Sequence, residues 1–375
     1  MLFSKYLNKK RPDWDALVKD FEWLRILSEV PQDPEWHAEG DVLTHTRMVC
    51  EALLNAPGFD DYTPEQQQIL FASALMHDIE KASTTQEEIR NGKVRITSPF
   101  HAKRGEKSAR SILYKTMGVP FRIREQVARL VRHHGLPLWG MEKRNASKAV
   151  IEASLVVDTR MLSSLCRADI NGRIAKDNAD KLLNVDLFDE LCKENSCFGN
   201  PRSFASDYGR FLFLNKKEAY IDYKPFEDFT CTVTLLAGLP GAGKDTYIKS
   251  MGDIPVVSLD DIRRKNGFDP LNKKDNGRVA QMAQEEARVF LRKKKDFVFN
   301  ATNIVADTRA RWISLFMEYK ARVRIVYIEV PYSTLLRQNE NREYPVPLRA
   351  IDKMIGKLDI PQAKEAHEIE FVIRE

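Results

Sequence analysis

No apolar run in the 375 residues approaches the roughly 18 that a membrane span needs, so a bilayer-crossing helix is excluded. The opening segment meets Lys5, Lys9, Lys10 and Arg11 too early for the apolar core of a secretory signal. Cysteine is scarce: Cys50, Cys166, Cys192, Cys197 and Cys231 are odd in number and form no C-x-x-C pair. A reducing cytoplasm therefore fits better than a disulfide framework and is the expected location. There is no internal repeat and no low-complexity tract, which sets aside solenoids, collagen-like chains and disorder. What remains, 43% hydrophobic and 30% charged residues, is ordinary globular composition, and the length suggests two domains.

Charge and histidine divide the chain unevenly. Residues 231–375 hold 25 Lys+Arg against 20 Asp+Glu, which accounts for the whole net charge of +5, and the first 230 residues are neutral. A basic C-terminal part suits a polyanionic partner. Six of the seven histidines precede residue 135 (His37, His45, His77, His101, His133 and His134), and only His367 comes late. Imidazoles clustered with acids point to a metal site in the first half.

From Asp13 to about Cys192 the pattern is helical. Asp41 caps a helix to Leu54, Pro64 opens one to Met76, and His101 begins another. Phe121–Arg132 leads to His133-His134, and one long helix is expected over Ala149–Ala168 before Asp169. Residues 195–228 lose periodicity and read as a connector. Short β-branched runs then alternate with helices: 232–237, 255–259, 297–300 and 323–330. That is the pattern of a parallel α/β sheet. The expected architecture is multidomain, with an all-α domain over 1–192, a connector over 193–229 and an α/β domain over 230–375.

Gly238-Leu-Pro-Gly241-Ala242-Gly243-Lys244 stands between a strand and a helix, the context of a P-loop. The glycines let backbone N–H groups hold nucleotide phosphates, Lys244 meets the outer phosphates, and the helix N-terminus adds its dipole. Asp245 stands where Mg²⁺ is usually met by a hydroxyl, and Thr246 follows as a further phosphate contact. Asp260, at the end of the second strand, is placed to take a proton from an attacking hydroxyl, and Arg263 to hold a phosphate of the acceptor. Arg337 and Arg342 read as a lid that neutralises the transferred phosphoryl group.

In the first half, His77-Asp78 at a helix end, with His45 and Asp169, makes a four-ligand set. His101 with His133 or His134 offers a second set bridged by Asp78. Such ligands suit Mn²⁺, Ni²⁺, Co²⁺, Fe²⁺ or Zn²⁺ over Mg²⁺. Lys81, three residues past Asp78, is a candidate phosphate contact, and His37 reads as structural or as a distant contact.

Two resemblances follow from these residues. The order His45…His77-Asp78…His101…His133-His134…Asp169 resembles the HD phosphohydrolase superfamily over residues 20–180, with Glu80 where many members have Gly. Residues 231–355 resemble the phage-type 5′-hydroxyl polynucleotide kinase domain through Gly238-x-Pro-Gly-x-Gly-Lys244, Asp260-Asp-x-Arg263, Thr302-Asn303, Val330-Pro-x-x-x-Leu335 and Arg342. Asp245 and Ala301 depart from that pattern. Together the two halves resemble the bacterial HD-Pnk family of end-healing enzymes. The resemblance implies removal of a 2′,3′-cyclic or terminal phosphate by the first domain. It implies 5′-OH phosphorylation by the second, with Asp260 as general base and Arg263, Thr302 and Asn303 toward the polynucleotide. It also implies ATP or GTP with Mg²⁺, RNA or DNA ends as partners, and a ligase acting on the product. A small-molecule kinase fused to a nucleotidase and a non-catalytic nucleotide sensor stand as alternatives.

Overall fold

The computed structural model describes residues 2–140, 144–216 and 220–374. The chain forms two compact units, 2–202 and 203–374. The segment 193–229, expected as a connector, is divided between them. Its start closes the helix Asn178–Glu194, and residues 203–229 carry the helix Asp207–Asn215.

The first unit is built around the helix Pro64–Met76. Thr63 caps it with a reciprocal Gln66 bond, Pro64 fills the first turn, and every residue from Ile69 to Met76 is buried. A helix apolar all round must be central. It packs against Val42–Leu54, Phe121–His133 and Thr159–Asn171, so its C-terminal His77-Asp78 is delivered into the middle of the unit. Gly172 lets one neighbour close in, because a Cβ there would lie 2.5 Å from Val49 N. That approach brings Asp169 beside His45.

Three expectations are corrected here. The first unit is not wholly helical: Gln86–Arg90 and Lys93–Thr97 pair as an antiparallel hairpin, and Leu7–Asn8 pairs with Arg11–Pro12. The single helix expected over 149–168 is two, Ala146–Ser154 and Thr159–Asn171. The break comes where the Asp158 carboxylate accepts from the N–H groups of Arg160 and Met161 and starts a new helix. In the second unit a further strand, Glu368–Ile373, completes the sheet.

The helices His101–Lys115 and Phe121–His133 are joined by buried charge. Arg110 donates to Glu106 (2.8 Å) and to both oxygens of Glu125 (2.9 and 2.8 Å), and Arg129 donates to Glu106 (2.6 Å). Burial alone would raise the Glu125 carboxyl, but Arg110 and Arg124 hold it down at about 2. Arg110→Met is therefore expected to cost about 3–5 kcal/mol in urea unfolding, because Glu125 loses its main partner in place. The Glu125 contribution is complete above its unfolded value near 4.5 and fades as pH falls toward 2. A cost within about 0.5 kcal/mol would show the network to be dispensable.

The second unit has five parallel strands in the order Val256–Ser258, Phe297–Asn300, Cys231–Ala237, Ala321–Glu329, Glu368–Ile373. Cys231–Ala237 is central and almost wholly buried, as befits a strand whose only polar side chains are Thr232 and Thr234. Its carboxyl end opens into Gly238–Lys244, where ligands bind in open sheets of this kind.

Candidate active sites

In the first unit the ligand atoms converge as two groups. His45 Nε2 lies 3.4 Å from His77 Nε2, 3.1 Å from Asp169 Oδ1 and 3.7 Å from Asp78 Oδ2, and His77 Nε2 lies 3.2 Å from Asp78 Oδ2. Asp78 Oδ1 faces the other way, 3.4 Å from His101 Nε2, which is 3.3 Å from His134 Nε2. Of the adjacent pair, His134 joins the group, and His133 is not among its members in the described residues.

The tautomers decide what this arrangement wants. His77, His101 and His134 each place Nδ1 2.7–2.8 Å from a backbone carbonyl, of Ala74, Ser98 and Val131. A carbonyl only accepts, so each Nδ1 carries the proton and each Nε2 turns a lone pair inward. Two facing lone pairs at 3.3 Å repel each other unless a cation lies between them. Ligand atoms about 2.1 Å from one shared ion sit about 3.0–3.4 Å apart, which matches most of these separations. Asp78 Oδ1 is buried and has no hydrogen-bond partner, as a bridging ligand oxygen would be. The residues thus fit one or two transition-metal ions, held by His45, His77, Asp78 and Asp169 and by Asp78, His101 and His134.

Burial opposes the Asp78 charge, yet His77 and Lys81 hold its carboxyl well below the usual range. Burial, with His101 and His77 nearby, pushes His134 down to about 4, so it is neutral and ready to ligate. Burial also opposes charge on His45, but Asp169 and Glu39 raise it to about 9. Lys81 pairs with Asp78 Oδ2 and donates to Gln32 Oε1, both at 2.7 Å, and so places a cation at the rim. Reading the sequence for ligands missed Glu39, whose Oε1 lies 2.8 Å from His37 Nδ1 and 2.9 Å from His45 Nδ1, the latter not aligned as a hydrogen bond. His37, expected to be structural or a distant contact, steadies the carboxylate behind His45. Five residues between Glu39 and His45 span a turn and a helix start, so spacing alone did not signal the pair.

In the second unit Gly241 and Gly243 take positive φ (+83° and +97°), the conformation that turns successive N–H groups to one side. Ala242 is buried within the loop. Lys244 Nζ folds over the loop and donates to Gly238 O (2.9 Å) and Leu239 O (3.0 Å). Burial, reinforced by Arg342 and opposed by Asp245 and Asp260, lowers it to about 8. Asp245 Oδ1 accepts from Asn300 Nδ2 (3.1 Å), and Thr246 is exposed.

Asp260 sits in the first turn of the helix Leu259–Lys265, just past the strand end, where Arg263 Nη1 pairs with it at 2.6 Å. Arg263 Nη2 also reaches Asn276 Oδ1 at 3.3 Å. Thr302 O accepts from Gly238 N (2.9 Å). Asn303, expected to face the polynucleotide, is instead buried with positive φ (+44°), and its amide donates to Leu236 O (2.7 Å). In this conformation it shapes the floor beneath the loop. Arg337 is exposed on the helix Tyr332–Glu340, and Arg342 is half-buried in the loop that follows. Buried Asn339, not foreseen, grips Val346 through both amide atoms (2.9 and 3.0 Å) and so pins the loop that carries Arg342.

Residues 233–361 match the family described as AAA domain. The C-terminal unit carries a P-loop on a parallel α/β sheet. A 148-residue stretch is 24% identical to L-seryl-tRNA(Sec) kinase of Methanococcus maripaludis, covering 36% of this chain and 55% of that protein. The chain therefore spans about half the length of the curated relative it matches. A solved structure from Chloroflexus aurantiacus, described as a candidate kinase, aligns with 38% of this chain and 88% of its own at 16% identity and a TM-score of 0.32. Nucleotide with Mg²⁺ is the general requirement of such domains. Among the described residues no helix is long and apolar enough to cross a membrane.

Proposed function

We propose that the protein is a bifunctional nucleic-acid end-healing enzyme of the HD-Pnk kind, acting in the cytoplasm. Its first unit removes a 2′,3′-cyclic or terminal phosphate, and its second phosphorylates the 5′-OH end from ATP or GTP. The observation that carries this reading is that one chain holds both a His/Asp cluster shaped for transition-metal ions and a P-loop with an acid and an arginine in the turn beyond the second strand. Ribonucleases that leave a cyclic phosphate leave a 5′-OH with it, so the two chemistries answer one kind of break and yield ends for a ligase. The relative from Methanococcus is by name a kinase of a tRNA-borne acceptor, which supports an RNA-linked hydroxyl over a free nucleoside.

In the kinase unit Asp260 accepts the proton of the 5′-OH as it attacks in line. Arg263 is paired with Asp260 before substrate arrives, and an acceptor phosphate draws the guanidinium away and leaves the carboxylate to the hydroxyl. Lys244 and Arg342 neutralise charge on the transferred group, with Arg337 at the lid helix. In the helical unit a transition metal held by His45, His77, Asp78 and Asp169, or by Asp78, His101 and His134, would supply Lewis acidity toward water and the phosphoryl group. Lys81 meets a phosphoryl oxygen from the rim, and the carbonyls behind His77, His101 and His134 keep each ring in the tautomer that ligates.

The test uses a short RNA with a 5′-OH and a 2′,3′-cyclic phosphate, incubated with NTP, Mg²⁺ and Mn²⁺, with both ends resolved. The expected result is a 5′-phosphate and an opened or removed cyclic phosphate. If neither end changes while nucleosides or free nucleotides do, the protein is a small-molecule kinase with a nucleotidase.

A further inference from the structure

We infer that the helical unit carries a nucleoside-binding cleft beside its His/Asp cluster, formed by Trp36 and the hairpin 86–97, that holds the terminal base of the strand end being dephosphorylated. This rests on the phosphoesterase reading above and names the subsite that selects its substrate.

The cleft measures about 350 Å³ and is lined chiefly by Asp33, Trp36, Lys93, Arg95, Ile96 and Thr97. That volume lies in the range of small-molecule sites and suits one nucleoside. Three of its lining residues are one chain position from a group that supports the cluster. Gln32, before Asp33, accepts from Lys81, which pairs with Asp78. His37, after Trp36, bonds Glu39, which approaches His45. Ser98, after Thr97, gives its carbonyl to His101 Nδ1. One residue is at most about 3.8 Å of backbone, so at three points the lining of the cleft runs within one residue of a group that supports the cluster.

The lining is chemically a nucleotide surface. Trp36 keeps 41% of its surface exposed, a large apolar area for an indole to leave in water. Strand alternation puts Lys93, Arg95 and Thr97 on one face. The acids there are already engaged. Buried Asp33 accepts from Arg95 (3.2 Å), Glu35 N (3.0 Å) and Ile96 N (3.2 Å), and Glu35 pairs with the same arginine. Arg90 pairs with Glu88 at 2.7 Å. Among the described residues Lys93 has no ion pair, so the cleft offers one unspent cation next to an aromatic face. Base stacking with a nearby phosphate contact is the chemistry this pairing serves.

The experiment compares opening of adenosine 2′,3′-cyclic phosphate with that of base-free methyl ribofuranoside 2,3-cyclic phosphate, by wild type, Trp36→Ala and Trp36→Phe. Trp36→Ala is expected to raise KM for the adenosine substrate about tenfold, with kcat and the base-free substrate near wild type, and Trp36→Phe to restore most of the loss. An unchanged KM, or equal losses on both substrates, overturns the inference and makes Trp36 structural. If wild type opens neither substrate, the phosphoesterase reading has failed. Calorimetric binding of adenosine 3′-monophosphate, with ADP saturating the P-loop, then decides the cleft alone. Binding about tenfold weaker in Trp36→Ala upholds it, and equal binding refutes it.

Discussion

Lys244→Ala is expected to lower 5′-end phosphorylation by about a thousandfold and leave cyclic-phosphate opening unchanged. Lys244 donates to Gly238 O and Leu239 O at 2.9 and 3.0 Å, so the ammonium already sits over the loop that cradles phosphates. Binding swaps neutral carbonyls for anionic oxygens, and phosphoryl transfer then develops charge against a group that needs no further movement. The same position predicts a pH dependence. Burial lowers Lys244 to about 8 in the free protein, and phosphates raise it again when bound. Below pH 8 the lysine is charged in both states and affinity is level. Above pH 8 the free protein has lost a proton that binding must restore, so affinity falls by up to about tenfold per pH unit. Calorimetric NTP affinities at pH 7.5, 8.5 and 9.5 check this, and Lys244→Ala should show no such fall. Affinity in the wild type that stays level to pH 9.5, or a kinase loss below tenfold, would sink the assignment.

How far these sites were legible depends on how local their chemistry is. The phosphate loop is one continuous segment, so its glycines and Lys244 announce it without tertiary information. His133 and His134 were not separable by spacing, although a phase signal was present. Val127, Leu130 and Val131 form the buried stripe of their helix, and His134, three past Val131, falls on that face. The hairpin was missed despite Asn91-Gly92, the strongest short-range turn signal, because its strands alternate charge with Ile89 and Val94, which are exposed in the fold. Glu368–Ile373 was missed for a related reason: an edge strand with glutamates at alternate positions carries little of the apolar signature of its neighbours. Asn303 shows the opposite limit, since a motif residue expected at the ligand is turned inward by a backbone with positive φ that spacing does not reveal.

Asp78→Asn is expected to abolish cyclic-phosphate opening, by about a thousandfold or more, and to leave 5′ phosphorylation intact. Asp78 is the residue both ligand groups share: Oδ2 faces His77 and Lys81, and Oδ1 faces His101 without a hydrogen-bond partner. An amide keeps the shape but offers one acceptor oxygen in place of two, and its N–H₂ can donate to the imidazole lone pairs that a metal would otherwise use. The lone pairs of His101 and His134 then lose the oxygen that joins them to His45, His77 and Asp169. Metal content measured by plasma mass spectrometry, after chelation and reconstitution with Mn²⁺, separates this from a purely structural effect. Wild type should retain about two ions per chain, and Asp78→Asn fewer, with affinity down by more than about a hundredfold. The loss of charge leaves Lys81 with Gln32 as its remaining partner, so thermal melting of the metal-free proteins is the control. If both melt alike while metal content differs, the defect lies in ligation. If Asp78→Asn keeps two ions per chain, Asp78 does not bridge, and the two groups must be treated as independent sites.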